Sequence, residues 1–313
     1  MIKIDLITGF LGSGKTTFLE RYAKYLMDAG QRVCILENDY GAVNVDMMLL
    51  GHLEGEQCGL EMVAGGCDYD CHRRRFKTKL IAMGMQGYDR VLVEPSGIFD
   101  VDEFFDALYE EPLDRWYEVG SVIAVVEAGL EDNLSPRSEY LLGSEIAKAG
   151  AVVLSKCQLA EPSEIQHTIA HIDRALEGVH CDRRIGEAVV TKSWDDFTDE
   201  DFQKLSRVGY VHAAFRKQPV HDHNDYQSRY YMNLTFTPEE IMERIEGLMA
   251  DPDCAGVFRV KGFAPTAEGD WMELNCTRRS KSMRPIAKGQ TVIIVIGEGL
   301  RAESIDPYFQ ENE

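Results

Sequence analysis

No run of about 20 apolar residues occurs in this 313-residue chain, so no membrane-spanning helix is expected. A basic excess is missing too. The 33 Lys and Arg face 53 Asp and Glu, giving a formal net charge of −20. Nucleic acid needs clustered cations on its phosphates and is excluded as an expected partner. The one basic cluster, Arg73-Arg74-Arg75 with Lys77 and Lys79, reads as a solvated helix face. There is no internal repeat and no low-complexity tract. The N-terminus enters a strand pattern at once and leaves no room for a leader, so a cytoplasmic location is expected. In that compartment the eight cysteines read as thiols rather than disulfides.

What is present is an ordinary globular composition, 44% hydrophobic and 27% charged, with length for two domains. Gly9-Phe-Leu-Gly12-Ser13-Gly14-Lys15-Thr16 fits the pattern G-x-x-x-x-G-K-[ST]. Ile2 to Ile7 ahead of it reads as a buried strand. Thr17 and the residues after it read as a helix with Phe18, Tyr22, Leu26 and Ala29 on one face. Strand, glycine loop and helix is the order a phosphate-binding loop requires. The glycines let backbone N–H groups of Gly12, Ser13, Gly14, Lys15, Thr16 and Thr17 turn toward phosphate oxygens at a helix N-terminus. Lys15 is expected to reach the β- and γ-phosphates, and the Thr16 hydroxyl to ligate Mg²⁺.

The first part of the chain alternates short apolar runs with helical patterns: 33–36, 90–93, 121–126 and 151–154 read as strands. Such runs imply a parallel sheet covered on both faces. The expected fold class is therefore α/β, a doubly wound, mostly parallel nucleotide-hydrolase sheet over residues 1–210. A smaller α+β domain is expected over 225–313, after a polar linker around 218–226. There Thr237-Pro238-Glu239-Glu240 looks like a capping box opening a helix with Ile241, Ile245, Leu248 and Met249 as its apolar face. Residues 306–313 read as an acidic tail. In the helix over 164–176, Ile165, Ile169, Ile172 and Leu176 form one stripe. His167 and His171 fall opposite it; their i, i+4 spacing can hold a metal, but a solvated face is the favoured reading.

Two further segments carry chemistry. Val91-Leu-Val-Glu94-Pro-Ser-Gly97 ends a buried strand with an acid, as a Walker B element does. Glu94 is expected near the Mg²⁺ shell, and the Gly97 N–H near the γ-phosphate. Glu37-Asn38-Asp39-Tyr40-Gly41, with Asp46 after it, follows the second strand. Its carboxylates can reach Mg²⁺, an attacking water or a second metal, or form only a polar loop.

Together these residues resemble the CobW-like family of P-loop GTPases, relatives of the GTPases that load nickel into hydrogenase and urease. The phosphate loop matches, as does Glu94-Pro-Ser-Gly97. Glu37-Asn-Asp-Tyr-Gly41 is similar to the family's Asn-Glu-Phe-Gly element. Arg259-Val-Lys-Gly262-Phe and Ile296-Gly-Glu-Gly299-Leu300 are similar to strings of its C-terminal domain.

Two departures stand out. Where the family carries Gly-Cys-x-Cys-Cys, this chain has Gly66-Cys67-Asp-Tyr-Asp70-Cys71-His72. Thiolates bind borderline and soft divalent metals. Cys67, Cys71 and His72, with Glu37 or Asp70 as a fourth ligand and Cys58 as a further candidate, form the expected metal set. His and carboxylate in the set favour Zn, Co, Ni or Fe. His221-Asp-His223 is a thin version of the family's histidine-rich loop. Second, the guanine-reading Asn-Lys-x-Asp is replaced by Ser155-Lys156-Cys157-Gln158. Lys156 can still lie along a base, but Gln158 is a weaker acceptor than a carboxylate, so ATP stays open beside GTP.

The resemblance implies Mg²⁺-dependent hydrolysis of a nucleoside triphosphate, with Lys15, Asp39 and Glu94 serving the reaction. The metal would be cargo for a client metalloprotein, and a homodimer is possible. Two other expectations stay open: an activator of a metallo- or corrinoid (cobalamin) enzyme that carries no metal itself, and a nucleotide-gated metal sensor that does not hydrolyse.

Overall fold

In this computed structural model all residues are described except 11, 40–44, 65–68, 98–100, 218–225 and 311–313, together with the side chains of 39, 45, 64, 69, 70, 187 and 226. The chain divides into two compact units, Met1–Pro219 and Val220–Glu313. The first runs β1 (Ile2–Thr8), α1 (Lys15–Asp28), β2 (Val33–Asp39), α2 (Val45–Leu50), β3 (Cys58–Ala64), α3 (Tyr69–Gly84), β4 (Arg90–Pro95), α4 (Val101–Leu108), α5 (Leu113–Trp116), β5 (Tyr117–Glu127), α6 (Pro136–Ala147), β6 (Ala151–Ser155), α7 (Pro162–Gly178), β7 (Val189–Val190) and α8 (Asp199–Leu205).

Its seven strands lie in the order β3-β2-β4-β1-β5-β6-β7, and every pairing is parallel. The doubly wound α/β fold expected from the alternation is present. From β1 the chain first moves outward to β2, while β4 fills the gap and β5 to β7 extend the other edge. β1 therefore sits at the topological switch point, where ligands bind beyond the carboxyl ends of the strands. Right-handed crossovers in opposite directions place α1 on one face and α3, α6 and α7 on the other.

The α1 face buries Phe18, Leu19, Tyr22, Ala23 and Leu26 against Ile7, Ile35, Leu92 and Ile123. Ala29, expected in that stripe, is instead the exposed C-cap. Phe202 of α8 stacks on Tyr22 and Tyr25, and Trp194 packs edge-on against Phe18. Segment 207–217, ahead of the expected linker, packs on the first unit. The Val211 amide donates to Lys148, the Arg216 amide donates to Val179, and Lys217 pairs with Asp102.

The second unit runs β8 (Tyr226–Met232), α9 (Pro238–Ala250), β9 (Val257–Pro265), β10 (Trp271–Thr277), β11 (Lys281–Ile286), β12 (Val292–Glu298) and α10 (Ala302–Phe309). Its sheet has the order β11-β10-β9-β12-β8, all antiparallel. Helix α9 starts at the expected capping box: the Glu240 amide donates to Thr237 Oγ1, and the Thr237 amide donates to Glu240 Oε2. The acidic tail was misread. Residues 306–309 belong to α10, where Phe309 is buried and Asp306 Oδ1 accepts from Arg229 and from the Tyr231 hydroxyl.

Candidate functional site

The phosphate loop joins β1 to α1. Gly9, Gly12 and Gly14 all have positive φ. At Gly9 this is obligatory, since a Cβ would collide with the Val125 carbonyl oxygen on β5. Lys15 is 8% exposed, and its Nζ donates to the Gly9 carbonyl at 2.8 Å, which holds the ammonium across the mouth of the loop. The Thr16 hydroxyl donates to Glu94 Oε1 at 2.8 Å. Two residues 78 positions apart, each assigned to Mg²⁺ from sequence, thus meet at the carboxyl ends of β1 and β4. A hydroxyl and a buried carboxylate are hard oxygen donors of the kind Mg²⁺ takes, so the pair fits that ion.

Glu37 on β2 stands directly across the ladder from Glu94 on β4, and both are buried. Just beyond this pair, the Ser96 amide donates to the Asn38 carbonyl, which ties the two strand ends together. Asn38 Oδ1 lies 2.6 Å from His72 Nε2. His72 sits in the first turn of α3 and is buried, next to Cys71, which is half-exposed and not in a disulfide. The structure therefore gathers Glu37, Glu94 and, through Asn38, His72 at the same ends of β2 and β4. Cys67 lies outside the described residues, as do the side chains of Asp39 and Asp70 and the whole of His221-Asp222-His223.

Cys58 does not belong to this group. It opens β3 beside Val33, whereas Glu37 pairs with Met62. Four strand residues, about 13 Å, separate the two levels. Burial pushes the Cys58 thiol up to about 11, as befits a packed hydrophobe.

Where a base was expected from sequence, Lys156 follows β6 with φ 57°. Its ammonium pairs with Glu127 Oε2 at 2.9 Å, at the end of β5. Gln158 is exposed. Ser155 and Trp194 both close on Gly14: a Cβ there would lie 3.6 Å from Ser155 Cβ and 3.3 Å from the Trp194 ring. Glu127 and Trp194 were not found by sequence reasoning. Trp194 is an aromatic inside a polar stretch, a signal that could have been weighed.

The nucleotide-binding-domain model of the CobW/HypB/UreG family matches residues 3–180, more than half the chain. The chain belongs to this family. As a CobW/HypB/UreG protein it is similar to the zinc chaperone YeiR of Escherichia coli (strain K12), 27% identical over 167 residues, 53% of this chain and 50% of that protein. It is also similar to the zinc chaperone CobW of a Sinorhizobium species, 24% identical over 296 residues, 84% of this chain and 81% of that protein. The chain spans about half the length of YeiR and of the zinc chaperone YjiA, also of E. coli K12. Among solved structures, the Zn(II)-bound YjiA GTPase from E. coli matches with 20% identity, 99% of both chains and a TM-score of 0.40. Among the described residues, no helix is long and apolar enough to cross a membrane.

One acid inside this CobW/HypB/UreG domain was missed altogether. Glu145 of α6 is fully buried, and neither carboxyl oxygen has a hydrogen-bond partner among the described residues. Burial pushes it up to about 8, partly offset by the Lys15 charge. The folded protein thus holds a proton on Glu145 that the unfolded chain releases from about 4.5 upward. Its contribution to stability is complete below that value and lost as pH rises through about 8. Glu145→Gln should therefore gain stability relative to the parent across this window, on the order of 1 kcal/mol per pH unit. Chemical denaturation at pH 5, 7 and 9 checks this; parallel curves at all three would refute it.

Proposed function

We propose that this chain is a Mg²⁺-dependent nucleoside-triphosphatase, with GTP as its expected substrate, that carries a transition-metal ion to a client protein under nucleotide control. The observation that carries this is the convergence at the ends of β1, β2 and β4. Thr16 meets Glu94, and Glu94 stands beside Glu37 on the neighbouring strand. A change at the γ-phosphate is then one strand away from a metal-binding carboxylate.

The backbone amides of Gly12, Ser13, Gly14, Lys15, Thr16 and Thr17 cradle the phosphates. Lys15 offsets charge that develops on the transferred group. Thr16 and Glu94 would hold Mg²⁺, which when bound neutralises phosphate charge and orients the γ-phosphate. Asp39 positions the attacking water, and the Gly97 N–H, at the end of the Glu94 strand, reports on the γ-phosphate. Lys156, held by Glu127, lies along the base, and Gln158 accepts at most one bond from it. The cargo site comprises Glu37, Cys67, Cys71 and His72, with Asn38 fixing the imidazole as outer partners of metal-ligating histidines do. The donor set suits zinc, and cobalt, nickel and iron by the same chemistry. The zinc-chaperone names of YeiR, YjiA and CobW support this assignment of cargo.

The test is phosphate release from GTP and ATP with and without Mg²⁺, by the parent and by a Cys67→Ser/Cys71→Ser protein. Slow release in both proteins, abolished without Mg²⁺, with one zinc equivalent fewer bound by the serine protein than by the parent, is expected. Equal zinc stoichiometry and affinity in both would remove the cysteine loop from the cargo site and favour the metal-free activator.

A further inference from the structure

The stripe of Ile165, Ile169, Ile172 and Leu176 predicts both α7 histidines on a solvated face. The structure divides them: His167 is 56% exposed, but His171 is 1% exposed. The cause is the chain that packs on this side of α7. Thr168 Oγ1, buried one turn before Ile172, accepts from the amides of Gly129 at 2.9 Å and Leu130 at 3.1 Å. The loop between β5 and α6 is thereby pinned to α7, with Asp132 held over the two histidines. Helix α6 then starts at Ser135, whose hydroxyl accepts from the Ser138 amide, and presents Glu139 in its first turn.

Four side chains from three segments meet here. Glu139 Oε1 lies 2.6 Å from His171 Nε2. Asp132 Oδ2 lies 3.2 Å from His167 Nε2, and Asp132 Oδ1 lies 3.9 Å from His171 Nδ1. A carboxylate can only accept, so the contact with Glu139 places the proton on Nε2. In the neutral imidazole that leaves the lone pair on Nδ1, and Nδ1 is buried with no hydrogen-bond partner. A buried lone pair facing a carboxylate oxygen is unfavourable unless a positive charge lies between them. Arg174 supplies part of that charge, donating to Asp132 Oδ1 at 3.0 Å from a half-exposed position.

We infer that His167 Nε2, His171 Nδ1 and the Asp132 carboxylate form a binding site for one divalent transition-metal ion of the zinc type, separate from the cysteine loop. Ligands about 2.0 Å from a tetrahedral ion stand about 3.3 Å from one another. The His167–Asp132 and His171–Asp132 spacings bracket that value. Among the described residues no three donors already surround one point. Binding therefore requires Asp132 to leave Arg174 and turn toward the two imidazoles. Glu139 is the outer partner that fixes the tautomer and direction of His171, the arrangement common to metal-ligating histidines. Three protein ligands leave a fourth position to water. Half-exposed His167 and Asp132 make the site open, suited to an ion that exchanges.

The experiment is an anaerobic titration with Zn²⁺ alone against a competing chelator, using full-length protein with Cys67→Ser/Cys71→Ser to remove the loop thiols. This protein should still bind one equivalent. Adding His167→Ala, at an exposed position that folding does not need, should abolish that equivalent. Adding Glu139→Gln should weaken it about ten- to a hundredfold. Adding Arg174→Gln should tighten it, because the competing cation is gone; a merely structural ion-pair cluster would not respond in that direction. Zinc binding unchanged by His167→Ala, or absent from the serine protein, would overturn the site. Loss of the cargo function proposed above would appear instead as a failure of the cysteine substitutions to change zinc affinity, so the two failures are separable.

Discussion

Lys15→Ala should lower kcat/KM for triphosphate hydrolysis by about a hundred- to a thousandfold, the cost of removing one donor aimed at developing phosphate charge. Lys15 is buried at the loop mouth, and its ammonium already spans the loop to Gly9. Among the described residues, the nearby cations are engaged elsewhere: Lys156 is paired with Glu127, and Arg21 is taken by Asp195 and the Trp194 carbonyl. Phosphate release and nucleotide affinity measure the loss. A denaturation curve beside them shows whether the fold survives, since Lys15 also partly offsets the burial of Glu145. Unchanged turnover in a folded Lys15→Ala protein would remove this loop from the chemistry.

Arg90→Ala should destabilise the protein by about 3–5 kcal/mol, the usual result of leaving one member of a buried ion pair alone. Asp5 in the middle of β1 is completely buried. Its Oδ2 accepts from Arg90 Nη1 and from the Tyr22 hydroxyl, both at 2.7 Å, and its Oδ1 accepts from the Ser121 amide at 2.7 Å. Arg90 Nη1 also donates to the Tyr22 oxygen at 2.8 Å. This network joins β1, β4, β5 and α1 from within the sheet. Without Arg90 the carboxylate keeps its burial and loses its counter-charge. Replacing both members, Asp5→Leu with Arg90→Met, should cost less than Arg90→Ala alone, because no orphaned charge remains. Urea denaturation of the three proteins gives the comparison, and a loss below about 1 kcal/mol in Arg90→Ala would contradict it.

The parts legible in the sequence are those whose cause is local. Gly9, Gly12 and Gly14 announce a backbone that only glycine tolerates, and Lys15-Thr16 carry their chemistry with them. The strands β4, β5 and β6 are continuous apolar runs because both faces are covered. Strand β3 was missed because it is an edge: Met62 is 40% exposed, and Cys58-Gly-Leu-Glu-Met-Val-Ala shows neither an apolar run nor clean alternation. Strand β11, also at an edge, has the same defect.

The other gaps are tertiary. His171 is buried by a loop that Thr168 pins down, which helical periodicity cannot report. Trp194 reaches Gly14 from a segment 180 residues away. Asp306 reads as tail until Arg229 and Tyr231 are seen to hold it. Glu145 looks like the polar position of an amphipathic helix, yet α6 is buried on every side at that point.

The central claim is that nucleotide and metal are coupled through the adjoining ends of β2 and β4. Its most direct test is the Zn²⁺ affinity of reduced protein loaded with GDP and then with a non-hydrolysable GTP analogue. A difference of at least about tenfold, or about 1.4 kcal/mol of coupling, is expected. Equal affinities in the two states would contradict a nucleotide-switched carrier.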